Sequence, residues 1–514
     1  MSNATRDLII KVNENTFELT ALNFHYQGQI NTPFTLQVQA VFDGQHSEDN
    51  FIKNWVGQHA TLDIADQGIE PFHFSGWISR VAMVHNPIAD RNEYQFVLRA
   101  SHADLDRRNG HKVYAQASIG SVITDLIAGY SPHSKLNYNP ERFDLFQSQE
   151  EGHYNQVLHG SLSDFFHYQL NLHGFYYPSF AGEQDTLNII PDLNHLPTDT
   201  QHYVHNMNNY KPSQSNYAGS GPLIESLDSH SKNNRIKGHN RYYSHQEGLN
   251  SRDELYSRQN TLTGNYAYQQ TSSVDEQEEA DIRIDKAVHA LDQSHTLVGK
   301  NIINTEGHRV SLQTIRGGRN ETKSYWIYAA DIKGELSEDQ HWQVSTELEL
   351  LPLLDSKSES YTETDALWYP KPLPSPQVNA HIPGARYNAK ASVSKQGELP
   401  IQVQAPFTNT KQQSDLYCRA IQPSSSRDGG MHSRAKLMGE AILERVDNAP
   451  NEFVIGGWLS NSTVPDMVHS ANIENTAISS GGNVALTMKR RRYTTPYSSV
   501  GLLSEDGKGR KSGI

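Results

Sequence analysis

The chain has 514 residues, with 44 Lys or Arg against 58 Asp or Glu, so its formal charge is −14; an acidic surface repels phosphate and argues against general nucleic-acid binding. The length suits about three domains, and although 36% of the residues are hydrophobic and mean hydropathy is −0.67, the 25 Tyr, 16 Phe and 6 Trp exclude wholesale disorder. A single cysteine, Cys418, excludes an intrachain disulfide and a cysteine metal site, and no apolar run reaches the ~18 residues of a membrane span.

The start carries no secretory signal: Met1–Asp7 is polar, and Leu8-Ile9-Ile10 is too short for a signal core. Folding in a reducing cytoplasm is expected, with any export by another route. Phe34–Phe42 then alternates, with apolar residues at every even position, and Tyr94–Ala100 does the same. Each run offers one face to a core, as strands do. Phe72–Met83 reads as a further strand region with a break near Gly76. A helix is expected over Ser118–Tyr130, with Ile119, Val122, Ile123, Leu126, Ile127 and Tyr130 at helical spacing. A second runs over Ser161–His173, with Leu162, Phe165, Phe166, Gln169 and Leu170 on one side. Ser161 with Asp164 resembles a capping box, and Gly174 suits the C-terminal stop. Phe175-Tyr176-Tyr177 and Leu187–Ile190 read as strands.

Residues 192–272 are rich in Asn, Ser, His, Tyr and Gln and poor in aliphatics. They are expected to form loops and irregular hairpins, not a core. A third helix is expected at Asp275–Leu291, its acidic first turns favoured by the helix dipole. Strand regions follow at Arg309–Ile315 and Ser324–Ile332. Pro370-Lys371-Pro372-Leu373-Pro374-Ser375-Pro376 is an extended linker. Beyond it, alternation at Ile401–Ala405 and the runs Leu416–Ile421, Ala441–Val446 and Phe453–Leu459 suit a compact barrel. The tail from about residue 466 holds little core-forming material. No fixed-period repeat is visible.

Motifs that carry chemistry are missing. No zincin, P-loop, dinucleotide, kinase or nucleophile-elbow pattern occurs. Gly219-Ser220-Gly221-Pro222 reads as a turn. The histidines, among them His102, His111, His153, His159, His167, His173, His289, His295 and His308, are scattered rather than convergent, so structural or surface roles are expected. Asp275, Glu276, Glu278, Glu279 and Asp281 read as a solvated helix start. No carboxylate pair stands out as a glycosidase pair. Arg316-Gly317-Gly318-Arg319 reads as a hairpin turn, Lys489–Arg492 as a solvated basic tail, and Cys418 as a small buried hydrophobe. No catalytic, cofactor-binding or metal residue is singled out, and no cofactor is expected.

Four stretches, in order, carry a family resemblance. Gly110-His111-Lys112-Val113-Tyr114-Ala115-Gln116-Ala117-Ser118-Ile119 places an aromatic and a Gln before a helix start. Ser163-Asp164-Phe165-Phe166 leads to His173-Gly174-Phe175-Tyr176-Tyr177. Trp368-Tyr369-Pro370-Lys371-Pro372 precedes the small barrel. Met438-Gly439-Glu440-Ala441-Ile442-Leu443 is followed by Ile455-Gly456-Gly457-Trp458-Leu459-Ser460-Asn461. Together they resemble VgrG proteins of type VI secretion, and hence the hub and spike of contractile-phage baseplates, over roughly residues 20–485. The chain departs from the family at Asn448-Ala449-Pro450-Asn451-Glu452, where the family has Gly-Asp-Pro-Asp-Arg-Pro, and at Leu399–Gln404.

The resemblance implies a mainly β fold with a few helices (α+β): two tandem hub β-barrels, an OB-fold barrel, and a short C-terminal stub leading toward a β-helix. The expected divisions are 1–191, a first barrel with two helices; 192–272, a polar insertion; 273–369, the second barrel; 370–379, the linker; 380–465, the OB-fold; and 466–514, the tail. It implies a structural, non-enzymatic spike and hub component of a contractile injection apparatus. Three copies form a pseudo-sixfold ring that caps a hexameric, Hcp-like tube and is delivered with it. Baseplate proteins, and a tip protein or effector at the C-terminal end, are expected partners; nucleic acid and a stable membrane anchor are not. Assembly is expected in the cytoplasm and release outside the cell on firing. Two alternatives stand beside this: a baseplate hub of a prophage tail, and a β-rich glycan-binding or glycan-hydrolysing protein, suggested by the aromatics, histidines and carboxylates.

Overall fold

The structure is a computed structural model. It describes residues 5–12, 15–42, 54–66, 69–86, 91–108, 113–130, 135–138, 152–155, 161–172, 177, 186–189, 200–206, 222–229, 236–242, 252–255, 265–271, 294–316, 319–337, 339, 341–352, 378–382, 398–403, 416–421, 424–425, 430–431, 439–445, 453–460, 475–479, 484–489, 499–505 and 511–513. The expected helix Asp275–Leu291, the stop at Gly174, the loop Asn448–Glu452 and all of the linker but its last two residues lie outside these. The chain divides into two compact units. One holds Met1–Asn109, Ala117–Glu151 and Gly160–Pro372, and the other holds Gly110–Gln116, Gly152–His159 and Leu373–Ile514.

Six strands open the first unit: β1 (Thr5–Val12), β2 (Asn15–Gln29), β3 (Thr32–Val41), β4 (His59–Asp66), β5 (Ile69–Asn86) and β6 (Arg91–Arg99). They run β1-β4-β5-β6-β3-β2, and β2 pairs back with β1, so the ring closes into a barrel. Every pair is antiparallel. Alternation decides which side chains go inside: Phe34, Leu36, Val38 and Ala40 are buried, whereas Gln37 is exposed. The interior is aromatic, with Trp55 fully buried and its ring 5.5 Å from that of Phe96.

Gly76 does not break β5, contrary to the sequence expectation. A Cβ there would lie 3.0 Å from Phe34 Cζ, so the glycine makes room for that ring inside a continuous strand. The irregularity falls three residues later. Pairing with β6 shifts between Ile78 and Arg80, and the bulged Ser79 donates its hydroxyl to Val97 O at 3.0 Å.

The second half of the unit repeats this plan. Its strands are β7 (Thr200–Asn206), β8 (Leu223–Ser229), β9 (His295–Lys300), β10 (Arg309–Arg316), β11 (Arg319–Leu336) and β12 (Trp342–Pro352). Each pairs as its counterpart six strands earlier does: β8 with β9, β9 with β12, β12 with β11, β11 with β10, and β10 with β7. Two details differ: β7 runs parallel to β10, and among the described pairings none joins β7 to β8. The bulges match. β2 skips a residue between Ala21 and Asn23 against β3, and β8 does so between Ile224 and Ser226 against β9. The bulge after Ile78 has its equal after Ile327.

The sequence hides this duplication because its spacing is uneven. Two residues separate β2 from β3, while residues 230–294 intervene between β8 and β9. β7 and β8 also correct the expectation that residues 192–272 contribute no core. Tyr203 and Ile224 are 7% and 5% exposed and join one core that runs through both barrels. The remaining described part of the segment forms a three-stranded sheet of Arg252–Leu255, Ile236–Tyr242 and Asn265–Thr271.

Three helical pieces pack together: a 3-10 helix at Ser101–Arg107, α1 (Ile119–Tyr130) and α2 (Leu162–Leu172). Ser118 Oγ accepts from Ser121 N at 3.2 Å and Ser161 Oγ from Asp164 N at 3.0 Å, capping the two α-helices. The expected apolar stripes are buried from Ile119 to Ile127 and from Leu162 to Leu170, Gln169 included, while the Tyr130 side chain lies outside the described ones. Tyr177 is not in a strand as expected. Its backbone is held instead by Asn31, whose N–H donates to Tyr177 O at 3.0 Å and whose Oδ1 accepts from Tyr177 N at 2.9 Å.

The second unit contains a closed five-stranded barrel of β13 (Val378–His381), β14 (Leu399–Val403), β15 (Leu416–Ala420), β16 (Glu440–Arg445) and β17 (Phe453–Leu459), in the order β13-β14-β15-β17-β16. The third and fifth strands are parallel and the other pairs antiparallel, which is the OB-fold arrangement. Its core includes Ile401, Leu443, Ile455 and Cys418, so the cysteine is the small buried hydrophobe expected. The Glu444 carboxyl group lies over Gly456, where a Cβ would meet its carboxyl carbon at 2.5 Å. The tail holds more regular structure than expected: β18 (Asn475–Ser479), β19 (Val484–Lys489), β20 (Ser499–Glu505) and β21 (Lys511–Gly513) form an antiparallel sheet in chain order. The Gly481-Gly482-Asn483 turn signal and the alternating Val484, Leu486 and Met488 are the sequence basis of its first hairpin.

Candidate functional site at the junction of the two barrels

The two barrels of the first unit are joined by a strand pair. β2 is long enough to pair with β1 over its first half and with β11 over its second, from Asn23 opposite Glu335 to Gln29 opposite Ala329. β11 likewise pairs with β10 first and with β2 after its bulge. One sheet therefore runs from one barrel into the next.

Beneath this pair lies a buried polar segment. Asn304, Thr305 and Glu306 are 2%, 0% and 0% exposed. A carboxylate so deep needs donors, and the Tyr26 hydroxyl, from the other barrel, lies 3.0 and 2.9 Å from its two oxygens. Gly28 provides the space, since a Cβ there would stand 2.2 Å from Glu306 Oε2. Burial, then the negative charge of Glu306 and the hydrogen bond to it, push the Tyr26 phenol well above its ordinary range, so it stays a donor. Asn304 Nδ2 donates to Tyr203 OH at 2.9 Å, and the Thr346 hydroxyl donates to Ile302 O.

Polar contacts also cross the junction at its surface. His25 Nε2 lies 2.9 Å from Asp331 Oδ1, and Gln27 donates to Asp331 Oδ2 at 2.9 Å. Burial pushes the Asp331 carboxyl up, but the Gln27 hydrogen bond, the charge and hydrogen bond of His25, and Lys333 outweigh it and hold it below the usual carboxylate range. Asp66 of β4, 3% exposed in its side chain, accepts from Trp342 N at 2.7 Å and faces His341 Nδ1 at 3.0 Å.

A second buried polar group lies among the helical pieces. The His102 ring meets Tyr177 edge-on, with centroids 5.1 Å apart, and the Tyr177 hydroxyl is 2.5 Å from His167 Nε2. His167 Nδ1 is 3.1 Å from Ser163 Oγ. Burial first, then the charges of His167 and Arg99, lower the His102 pKa to about 3, so this ring is neutral. Gln169, fully buried, has no partner for its Oε1 or Nε2 among the described residues.

These groups hold elements together. Among the described residues no three His, Cys, Asp or Glu side chains could share a metal ion, and no helix is long and apolar enough to cross a membrane. His102 is buried, and Arg316 pairs with Arg319 across the expected hairpin turn. His111, His159, His173, His289, the acidic run at 275–281 and Arg490–Arg492 lie outside the described residues. Sequence reasoning missed Tyr26, Gly28 and Glu306. Asn304-Thr305-Glu306-Gly307 is polar and ends in glycine, which reads as a solvated turn.

Residues 27–210 match the family model of the phage tail baseplate hub (GPD). No curated protein sequence matches the chain. Among solved structures, the E. coli c3393 protein is similar with 12% identity and a TM-score of 0.52, over 88% of this chain and 99% of that one. That protein is described as a type VI secretion component with structural similarity to the T4 bacteriophage tail proteins gp27 and gp5. A chain of the lidless PdpA-VgrG complex is similar with 12% identity and a TM-score of 0.58, over 99% of this chain and 98% of that one. In the half-lidded Francisella PdpA-VgrG complex the TM-score is 0.57, again at 12% identity, over 99% of this chain and 88% of that one. The chain thus has the fold of VgrG-type spike and hub proteins, and within it residues 27–210 carry the pattern of the phage tail baseplate hub family.

Proposed function

We propose that this chain is the structural hub and OB collar of a contractile injection apparatus of the type VI secretion kind. Three copies form a ring that caps the secreted tube and is delivered with it. The observation that carries this reading is the internal duplication: two barrels of one strand order stand side by side in each copy. Three copies then present six like barrels, which matches a hexameric tube by symmetry. The buried Tyr26–Glu306 contact fixes the two barrels of a copy against each other, as a rigid adaptor requires. The role is structural and needs no catalytic group. A tip protein or effector at the C-terminal end is part of the proposal, as is assembly in the cytoplasm before release.

The test is the molar mass of the purified full chain, followed by its binding to purified hexameric tube protein. A mass of three chains and retention of the tube protein support the reading. A stable monomer at high concentration that ignores the tube protein overturns it. The prophage-tail hub is a second reading, favoured by the family to which residues 27–210 are matched. Genome neighbours separate the two: tail-assembly genes support the prophage, and secretion genes the injection apparatus.

A further inference from the structure

Four of the seven exposed large hydrophobic residues among the described ones lie in the OB barrel: Tyr417, Ile421, Trp458 and Leu459, at 52%, 59%, 37% and 37% exposure. Two of them share the outer face of its third strand, β15. Cys418 belongs to the core, so alternation puts Tyr417 and Arg419 outside. Ile421, just past the strand end, continues the same series and is tied to β17 by its N–H, which donates to Ile455 O at 2.8 Å. Tyr417 and Ile421 stand about 13 Å apart along the strand, with Arg419 between them. An aromatic ring, a guanidinium and an aliphatic side chain thus form a line longer than one sugar ring.

The neighbouring strands complete the face. Pro400 of β14 stands opposite Tyr417, and the same register one residue on sets Glu398 opposite Arg419. On the other side Arg419 stands opposite Val454 of β17, and Val454 opposite Glu444 of β16. Val454 and Glu444 point outward because Phe453, Ile455 and Leu443 fill the core. One row across four strands therefore reads Glu398, Arg419, Val454 and Glu444, and all four are half-buried. The strands of such a row are about 4.7–4.9 Å apart. The Glu444 carboxyl group reaches over Gly456, which the β15–β17 register brings beside Ile421.

The chemistry of this face selects its ligand. A sugar ring carries C–H groups on its faces, which pack against an aromatic ring, and hydroxyls at its edge, each able to donate and to accept. Tyr417 supplies the ring, Arg419 the donors, and Glu398 and Glu444 the acceptors. A phosphate polymer suits it poorly, because the arginine stands between two carboxylates on a chain of net charge −14. The outer face of the second and third strands is also where OB-folds take extended ligands. We propose that this face binds a neutral linear oligosaccharide laid along β15, with Tyr417 stacked on one sugar ring and Arg419 and Glu444 hydrogen-bonded to the hydroxyls of the chain. The inference adds a glycan-binding surface to the hub reading and does not depend on how many copies assemble.

The test titrates maltohexaose, cellohexaose and chitohexaose, three neutral linear chains, into the purified full chain and follows the heat of binding. At least one is expected to bind saturably, with one site per chain. Tyr417→Ala is expected to weaken that binding at least tenfold, and Tyr417→Phe, which keeps the ring, less than threefold. Arg419→Met, which keeps the stem and removes the donors, is expected to weaken it at least fivefold. Tyr417 is half exposed, so the thermal midpoint of its variants is expected to match the parent. Saturable binding of none of the three sugars overturns the proposal, as does binding that Tyr417→Ala leaves unchanged. Tyr417-dependent binding of single-stranded oligothymidylate without any sugar binding overturns it in favour of a nucleic-acid face. The molar mass of the same samples reads the ring separately, so a three-chain mass without sugar binding leaves the hub reading standing.

Discussion

Gly57 and Gly307 do the same work in two different barrels. Their φ angles are +82° and +84°. Gly57 N donates to Ile78 O at 2.8 Å and Gly307 N to Ile327 O at 2.9 Å. In return, Ile78 N donates to Gln58 O at 2.9 Å and Ile327 N to His308 O at 3.0 Å. Each glycine turns the chain into the fourth strand of its barrel, and a left-handed φ is what the turn requires.

Gly57→Ala isolates that requirement, since a Cβ at this position would meet nothing within 4 Å. The cost is conformational, about 1–2 kcal/mol. Chemical denaturation is expected to show that loss with an unchanged denaturant slope. Gly57→Asn, which tolerates this φ better, is expected to cost less than Gly57→Ala.

Gly28→Ala tests the buried contact between the barrels. Its Cβ would fall on the Glu306 carboxylate, and overpacking of this kind costs roughly 1–3 kcal/mol. Glu306→Ala takes away the acceptor of the buried Tyr26 hydroxyl, at about 1–3 kcal/mol. The two are coupled, because removing the carboxylate takes away two of the three atoms the methyl group would meet and releases the third, the Tyr26 hydroxyl at 2.6 Å, to turn aside. The double variant is expected to be clearly more stable than the sum of the single losses predicts. Simple additivity in a double-mutant cycle would refute the packing account.

His102 makes stability fall in acid. Its folded pKa, about 3, lies below the unfolded value near 6.5. Between these values the unfolded state binds the extra proton, so stability rises with pH and is lost as pH falls from about 6.5 toward 3. The full span is on the order of 5 kcal/mol. His102→Phe keeps a ring against Tyr177 and removes the proton site. Denaturation midpoints measured from pH 7 down to pH 4 are expected to fall less in that variant than in the parent.

Gln169→Leu replaces a fully buried amide that has no partner among the described residues with an apolar side chain of similar length. Relief of that desolvation is expected to stabilise the protein by about 1 kcal/mol or more. A raised thermal midpoint checks it, and a lowered one shows that the amide is paired in solution.

What the sequence revealed was local periodicity. Phe34 to Ala40 and Tyr94 to Ala100 alternate, and those strands lie where the pattern puts them. The helix stripe from Ile119 to Ile127 is buried, and the runs at Leu416, Ala441 and Phe453 supply three of the five OB strands. Long-range facts were not legible. Glu306 looks solvated because nothing local shows that Tyr26, 280 positions away, will cover it. Gly76 looks like a strand break because Phe34, its neighbour in space, lies on another strand. The duplication escaped notice because residues 230–294 displace the last four strands of the repeat relative to the first two. The family resemblance supplied the two-barrel expectation that periodicity could not.

Direct imaging of the purified full chain tests the central claim most directly. Averaged electron micrographs viewed down the particle axis are expected to show a ring of six similar lobes with threefold symmetry, two lobes to each chain. Particles averaging to a single two-lobed chain, or to a ring whose lobe count is not six, would contradict the account.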